Sequence, residues 1–257
     1  MAERTIPGCL TMGVWGIAAA ALVVGVLIGC VGIGGVLLVP TLTYLGGVPI
    51  HDAIAAAMFS YLFAGAAATW IYARKGSIDW ESSLWLAIGA MPAALAGAFA
   101  APYVGATLLG LLVAAMVVFA GIRALRPSRG GERRSALGKS ALVGLGGFVG
   151  FGSALTGTGG PFLLVPLLLW LEVPILTTIG LSQAIQVPIA ALATAGNIAF
   201  GELNVRLGAA LAVALLVGTI IGARAAHKVS SLVLTRLVGV LMLAAGTLVI
   251  LRVAGAF

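Results

Sequence analysis

Two glycine clusters carry the residue types in this chain that could do chemistry. The stronger is Leu155-Thr156-Gly157-Thr158-Gly159-Gly160-Pro161-Phe162-Leu163-Leu164-Val165-Pro166. A weaker echo of it is Cys30-Val31-Gly32-Ile33-Gly34-Gly35-Val36-Leu37-Leu38-Val39-Pro40. In each, glycines cut a long apolar run, and a new apolar run then starts and soon meets a proline. Glycine costs a helix interior roughly 1 kcal/mol per position relative to alanine, so the crowding of Gly157, Gly159 and Gly160 predicts an unwound backbone. Pro161 stands where a restarting helix has its first residue, a place that tolerates proline because that N–H has no intrahelical partner. Such a helix start presents free N–H groups and about half a positive charge to whatever lies in front of it, a setting that favours an anion. The residues predicted to contribute are Gly32, Ile33, Gly34 and Gly35 in one break. In the other they are Thr156, Gly157, Thr158, Gly159, Gly160 and Pro161.

Side chains add a second set, concentrated after the second break: Ser182, Gln183, Gln186, Thr194 and Asn197. The spacing of Gln183, Gln186, Thr194 and Asn197 puts them close to one helical face. A buried amide needs hydrogen-bond partners, so this face points at protein or water rather than lipid. Two readings stand. Ser182, Gln183, Gln186 and Asn197 line a substrate path beside the break, or they tie helices together, as such side chains do in membrane bundles. The matching positions of the first half, Met58, Tyr61, Thr69 and Tyr72, are chemically different. No Asp, Glu, Lys, Arg or His falls in the middle of a predicted span, so a buried proton relay is not visible. His51, Asp52, Arg224, His227 and Lys228 fall at span ends, as solvated boundary residues would. With no HExxH pattern, no Asp pair and no Ser–His pair inside a span, neither catalysis nor a metal or cofactor is expected.

The elements that must position these residues follow from composition. The chain has 257 residues, 61% hydrophobic and only 8% charged, with a mean hydropathy of +1.19. A soluble domain carries about 25% charged residues. Several uncharged windows exceed the ~20 apolar residues needed to cross a bilayer. The fold class expected is therefore an all-α polytopic membrane protein. The net charge of +7 does not point to nucleic acid, because six of the fourteen basic residues, Arg123, Arg126, Arg129, Arg133, Arg134 and Lys139, sit in one segment. A short basic loop of this kind belongs on the cytoplasmic side. Cys9 and Cys30 make neither a metal-ligand pattern nor a disulfide framework. The apolar run from Thr11 to Gly29 exceeds a signal-peptide core and is read as the first helix.

Sliding the sequence against itself by 125 residues pairs Gly25 with Gly150, Gly32 with Gly157, Gly34 with Gly159, Gly35 with Gly160, Gly97 with Gly222 and Gly121 with Gly246. Nine of the nineteen glycines in residues 1–132 meet a glycine at this offset, where composition alone gives about three. A duplication follows: a first repeat at 1–126, a basic linker at 127–139 and a second repeat at 140–257. Each repeat holds an apolar segment, the break, a piece too short to span, and three full spans, giving eight to ten helical segments in all. If the broken piece crosses onward, the count per repeat is even and the repeats are parallel. If it returns, the count is odd and they are inverted. Each arrangement leaves eleven basic residues inside and three outside, so charge does not choose between them.

The paired breaks, the duplication and the turns Gly76-Ser77-Ile78-Asp79-Trp80 and Gly201-Glu202-Leu203-Asn204 together resemble the TauE/SafE family of sulfite and organosulfur-anion exporters. The resemblance covers nearly the whole chain and rests mainly on Gly32-Ile33-Gly34-Gly35 and Gly157-Thr158-Gly159-Gly160-Pro161. It implies a multi-pass permease of the plasma membrane for small sulfur-containing anions such as sulfite, sulfoacetate or thiosulfate. The partners expected are that anion and membrane lipid, with a homodimer left open. An anion channel and a non-transporting assembly or sensor protein remain as alternatives.

Overall fold

The computed structural model describes residues 14–100, 118, 122, 138–156, 158–199 and 204–253. The expected span Tyr103–Ile122, the linker up to 137 and Gly157 therefore lie largely or wholly outside the described residues. Among those described, the fold is all α: α1 (Val14–Val31), α2 (Gly35–Pro40), α3 (Ile50–Arg74), α4 (Trp80–Ala100), α5 (Lys139–Thr156), α6 (Gly160–Trp170), α7 (Ile175–Ala199), α8 (Val205–Ala226) and α9 (Ser231–Val253). Among the described residues, three segments, Asp52–Arg74, Ile175–Ile198 and Val205–Ala226, are long and apolar enough to cross a membrane. Asp79 and Asn204 start α4 and α8 in the same way: the Ser82 N–H reaches Asp79 Oδ1 and the Leu207 N–H reaches Asn204 Oδ1, supplying acceptors for otherwise unpaired helix-start donors.

Both glycine clusters break the helix, and in both the chain turns back. Gly32 has φ +82° and Gly159 φ +78°, a region closed to side chains without strain, so each break needs its glycine there. Gly34, which stands 125 residues before Gly159, is instead ordinary right-handed backbone at φ −62°. After the first break Gly34 lies against the Val24 carbonyl and Ile28, and Gly46 lies beside Ile17. The chain thus retraces α1 in reverse. Pro40 has no N–H to give and its ring crowds the carbonyl of Val36. The return arm accordingly widens into a π-helical turn over Thr41–Leu45, where the Gly46 N–H reaches the Thr41 carbonyl at 3.1 Å. After the second break Gly152 touches Leu163, so α6 likewise retraces α5. At about 16 Å for eleven residues, α6 reaches half the thickness of a hydrocarbon core.

Two lengthwise pairings join elements before residue 101 to elements after residue 138: α1 with α8, and α4 with α5, while α3 packs on both α7 and α8 and α7 packs on α4. Close approach is made by glycines. Gly25 abuts the backbone of Leu215, and Gly150 abuts that of Ala90. Gly222 abuts Val26, and Gly97 abuts Phe151. Residue order rises together on both members, so each pair runs parallel. Followed through the bundle, α1–α2 enters and leaves at one end, while α5–α6 enters and leaves at the other. The second end gathers Arg74, Lys75, Lys139, Arg224 and Lys228. It is tied there by Lys139 Nζ and Glu81 Oε1 at 3.4 Å and by Ser77 Oγ with His227 Nε2 at 3.2 Å. His227, expected as a solvated boundary residue, is instead half-buried. Its Nδ1 lies 2.8 Å from the Ala223 carbonyl and its ring centroid 4.6 Å from that of Tyr72.

Candidate functional site

The tips of the two hairpins meet at the middle of the bundle. A methyl group on Gly35 would sit 2.6 Å from the Thr158 carbonyl oxygen, and one on Gly32 would sit 3.6 Å from Pro161 Cβ and 3.2 Å from Val165 Cγ2. Only glycine lets the tips approach this far. Between them runs a crevice lined by Ile28, Gly32, Gly35, Tyr61, Thr158, Pro161 and Gln186. None of these seven is charged. The crevice is shut, with no room even for a water molecule.

Hydrogen bonds around the crevice run from side chains to the backbone of neighbouring helices. Tyr61, fully buried, donates its hydroxyl to the Gly35 carbonyl at 2.7 Å. Gln186 Nε2 donates to the Tyr61 carbonyl at 3.2 Å, and Gln183 Nε2 to the Ile28 carbonyl at 2.7 Å. A buried side-chain donor costs free energy unless it finds an acceptor, and each of these reaches one on another helix. The glutamine amides therefore tie helices together. Gln186 also lines the crevice, whereas Gln183 Oε1 is buried with no partner.

The sequence-predicted residues divide accordingly. Gly32, Gly35, Thr158, Pro161 and Gln186 line the crevice. Gly159 packs on the Tyr61 ring, Gly160 on Ile185 and Ile189, and Ser182 Oγ lies 3.5 Å from where a Gly32 methyl would be. Ile33 and Gly34 face the other way, onto an apolar cavity of about 160 Å³ beside Leu241 and Ala244. Asn197, half-buried, lies eleven residues beyond Gln186, about 16 Å along α7, and is not a crevice residue. The Thr156 side chain and Gly157 lie outside the described residues. Ile28 and Tyr61 line the crevice without having been singled out for the site. The one signal for Tyr61 is that it stands 125 residues before Gln186. Among the described residues no group of His, Cys, Asp and Glu could hold a metal ion.

An apolar helical bundle whose helices break at its centre, with backbone ends and uncharged polar groups converging there, is the build of a membrane transporter. The sequence matches the family described as sulfite exporter TauE/SafE over residues 17–249, and the chain belongs to that family. It is also similar to the "Probable membrane transporter protein YdhB" of Bacillus subtilis (strain 168), at 26% identity over 222 residues, which cover 81% of this chain and 86% of that protein. No solved structure matches the chain.

Proposed function

We propose that this protein is a secondary carrier of the plasma membrane that exports small sulfur-containing anions such as sulfite, sulfoacetate or thiosulfate, binding them where the two hairpin tips meet. The observation that carries this reading is the apposition of the two glycine breaks around an uncharged crevice. Tyr61, Gln183 and Gln186 each direct a donor to a protein carbonyl, and the backbone N–H groups opening α6 are the groups for an anion. A neutral site of this kind holds cargo weakly enough to release it, where a buried arginine would retain it.

The two halves, 1–126 and 140–257, are read as inverted copies. In support, the contact of Gly25 with Leu215 maps by 125 residues onto that of Gly150 with Ala90, and Gly222 with Val26 onto Gly97 with Phe151. The hairpins also enter from opposite ends, as the odd count requires. In that arrangement Arg74, Lys75, Lys139, Arg224 and Lys228 share the end of the basic linker, which the positive-inside rule makes cytoplasmic, and Arg206 lies outside. A divalent anion leaving a cell that is negative inside gains about 4.6 kcal/mol per 100 mV, twice the single-charge value, so export runs downhill without a buried proton carrier.

Flux of labelled sulfite from proteoliposomes is the test. Gly160→Leu drives a branched side chain into Ile185 and Ile189 at the head of α6 and is expected to abolish flux while the protein still assembles. Unchanged flux would sink the site. Counterflow of labelled substrate is expected of a carrier, and its absence alongside fast flux would point to a channel.

A further inference from the structure

Gln183 is wholly buried on α7, and only half of its amide is used. Its Nε2 donates to the Ile28 carbonyl at 2.7 Å, while its Oε1 has no partner. Turning the amide over does not cure this. A carbonyl at that distance accepts and does not donate, so the group facing it must be the NH2. The orphan is therefore an acceptor, and its place is fixed. An acceptor taken out of water and left without a donor costs free energy, so it marks a place where a donor is due.

This acceptor stands at the wall where the hairpin tips meet. Its neighbours on the same helical turn are Ser182, whose Oγ lies 3.5 Å from where a Gly32 methyl would be, and Gln186, which lines the crevice. Ile28, whose carbonyl holds the amide, lines it too. From α6, Pro161 and Val165 come within 3.6 Å and 3.2 Å of that same Gly32 position. The opening of α6 and the Gln183 turn thus converge on one glycine. The first supplies N–H donors and the second an unspent oxygen.

Resting on the reading of the crevice as an anion site, we infer that it selects anions carrying a hydrogen-bond donor of their own, and that Gln183 Oε1 takes that donor. Sulfite, sulfate and thiosulfate in fully deprotonated form present acceptors all round. Set against Oε1 they bring lone pairs to a lone pair, which rejects them as it selects their competitors. Hydrogen sulfite or a hydroxyalkanesulfonate presents oxygens to the α6 N–H groups and a hydrogen to Oε1. Gln183 is then a binding residue that reads protonation or hydroxylation of the cargo. Such a cargo carries one negative charge, so its export draws half the electrical driving force of a dianion.

Titration calorimetry of the full chain in lipid nanodiscs tests this with hydroxyethanesulfonate and propanesulfonate. The two have the same charge and nearly the same size, and differ in a hydroxyl against a methyl. The wild type should bind the hydroxyl compound about ten-fold tighter, and Gln183→Leu should bring the two affinities together. Because a ratio is read, a general weakening of the variant does not imitate the result. If Gln183→Leu fails to fold, the unbranched Gln183→Met takes its place. Equal affinities in the wild type would overturn the donor requirement, with water serving Oε1 instead. A preference that survives in the variant would overturn Gln183 as the acceptor. Sulfite is titrated alongside. Binding of sulfite and of neither sulfonate would overturn this class of cargo and keep the anion site, whereas no binding of any of the three would overturn the anion site itself.

Discussion

Tyr61 connects the breaks more directly than any glycine. Its hydroxyl takes up the Gly35 carbonyl, its ring covers Gly159, and its own carbonyl receives Gln186. Phenylalanine keeps the ring and removes a buried hydrogen bond. Tyr61→Phe should therefore lower stability by about 0.5–1.5 kcal/mol, measured as a lower denaturation midpoint in detergent, with helical content unchanged. An equal or higher midpoint would show that this bond does not hold the break. At this scale the glycines were legible in advance, because clustered glycine weakens a helix wherever it lies. Tyr61 was not: a tyrosine inside an apolar run has the same local signature whether its hydroxyl meets lipid headgroups or a carbonyl 26 residues away. The glutamines were half legible. Their burial followed from their chemistry, and their partners depended on which helix lay opposite.

Among the elements, the pairing of α8 with α1 rests on surfaces stripped of side chains. A methyl on Gly222 would collide with the Val26 carbonyl, and one on Gly29 with that of Thr219, and backbone cannot yield as a flexible side-chain end does. Close backbone contact of this kind is how helices associate where lipid removes the hydrophobic drive. Gly222→Val should accordingly reduce the yield of monodisperse protein severely. Gly144→Ala, at a helical glycine with open space around it, should leave yield unchanged or raise it, since alanine favours helix by roughly 1 kcal/mol. Size-exclusion profiles of the two variants decide the matter, and equal profiles would remove the close-packing argument. Helix ends and breaks could be read from glycine, proline and apolar run length. The reversal of α2 and α6 could not, because hydropathy has no direction. It is contact of Gly34 with Val24 and of Gly152 with Leu163 that turns each broken piece back.

For the whole molecule, the proposed inverted arrangement puts the end with Lys228 in the cytoplasm and the end with Arg206 outside. In a cysteine-free background, Lys228→Cys should react with a membrane-impermeant thiol reagent only from the cytoplasmic side, and Arg206→Cys only from outside. Labelling of both from one side would reject the inverted arrangement. The basic linker reads from sequence as a cytoplasmic segment, but the eleven-to-three division of basic residues is the same in both topologies, so charge alone does not orient the remaining ends.

Each lengthwise pairing, α1 with α8 and α4 with α5, takes one member from either side of the linker. Neither side is then a finished object when it leaves the ribosome: α1 and α4 must wait, glycine faces bare to lipid, until the rest of the chain has been inserted. Cutting the chain within the linker should yield two fragments that are unstable apart and assemble when made together, so cleavage there would leave a working complex of two chains. The same interlocking gives a fragment made alone one surface to complete, and a second copy of itself inserted upside down is the natural candidate to fill it.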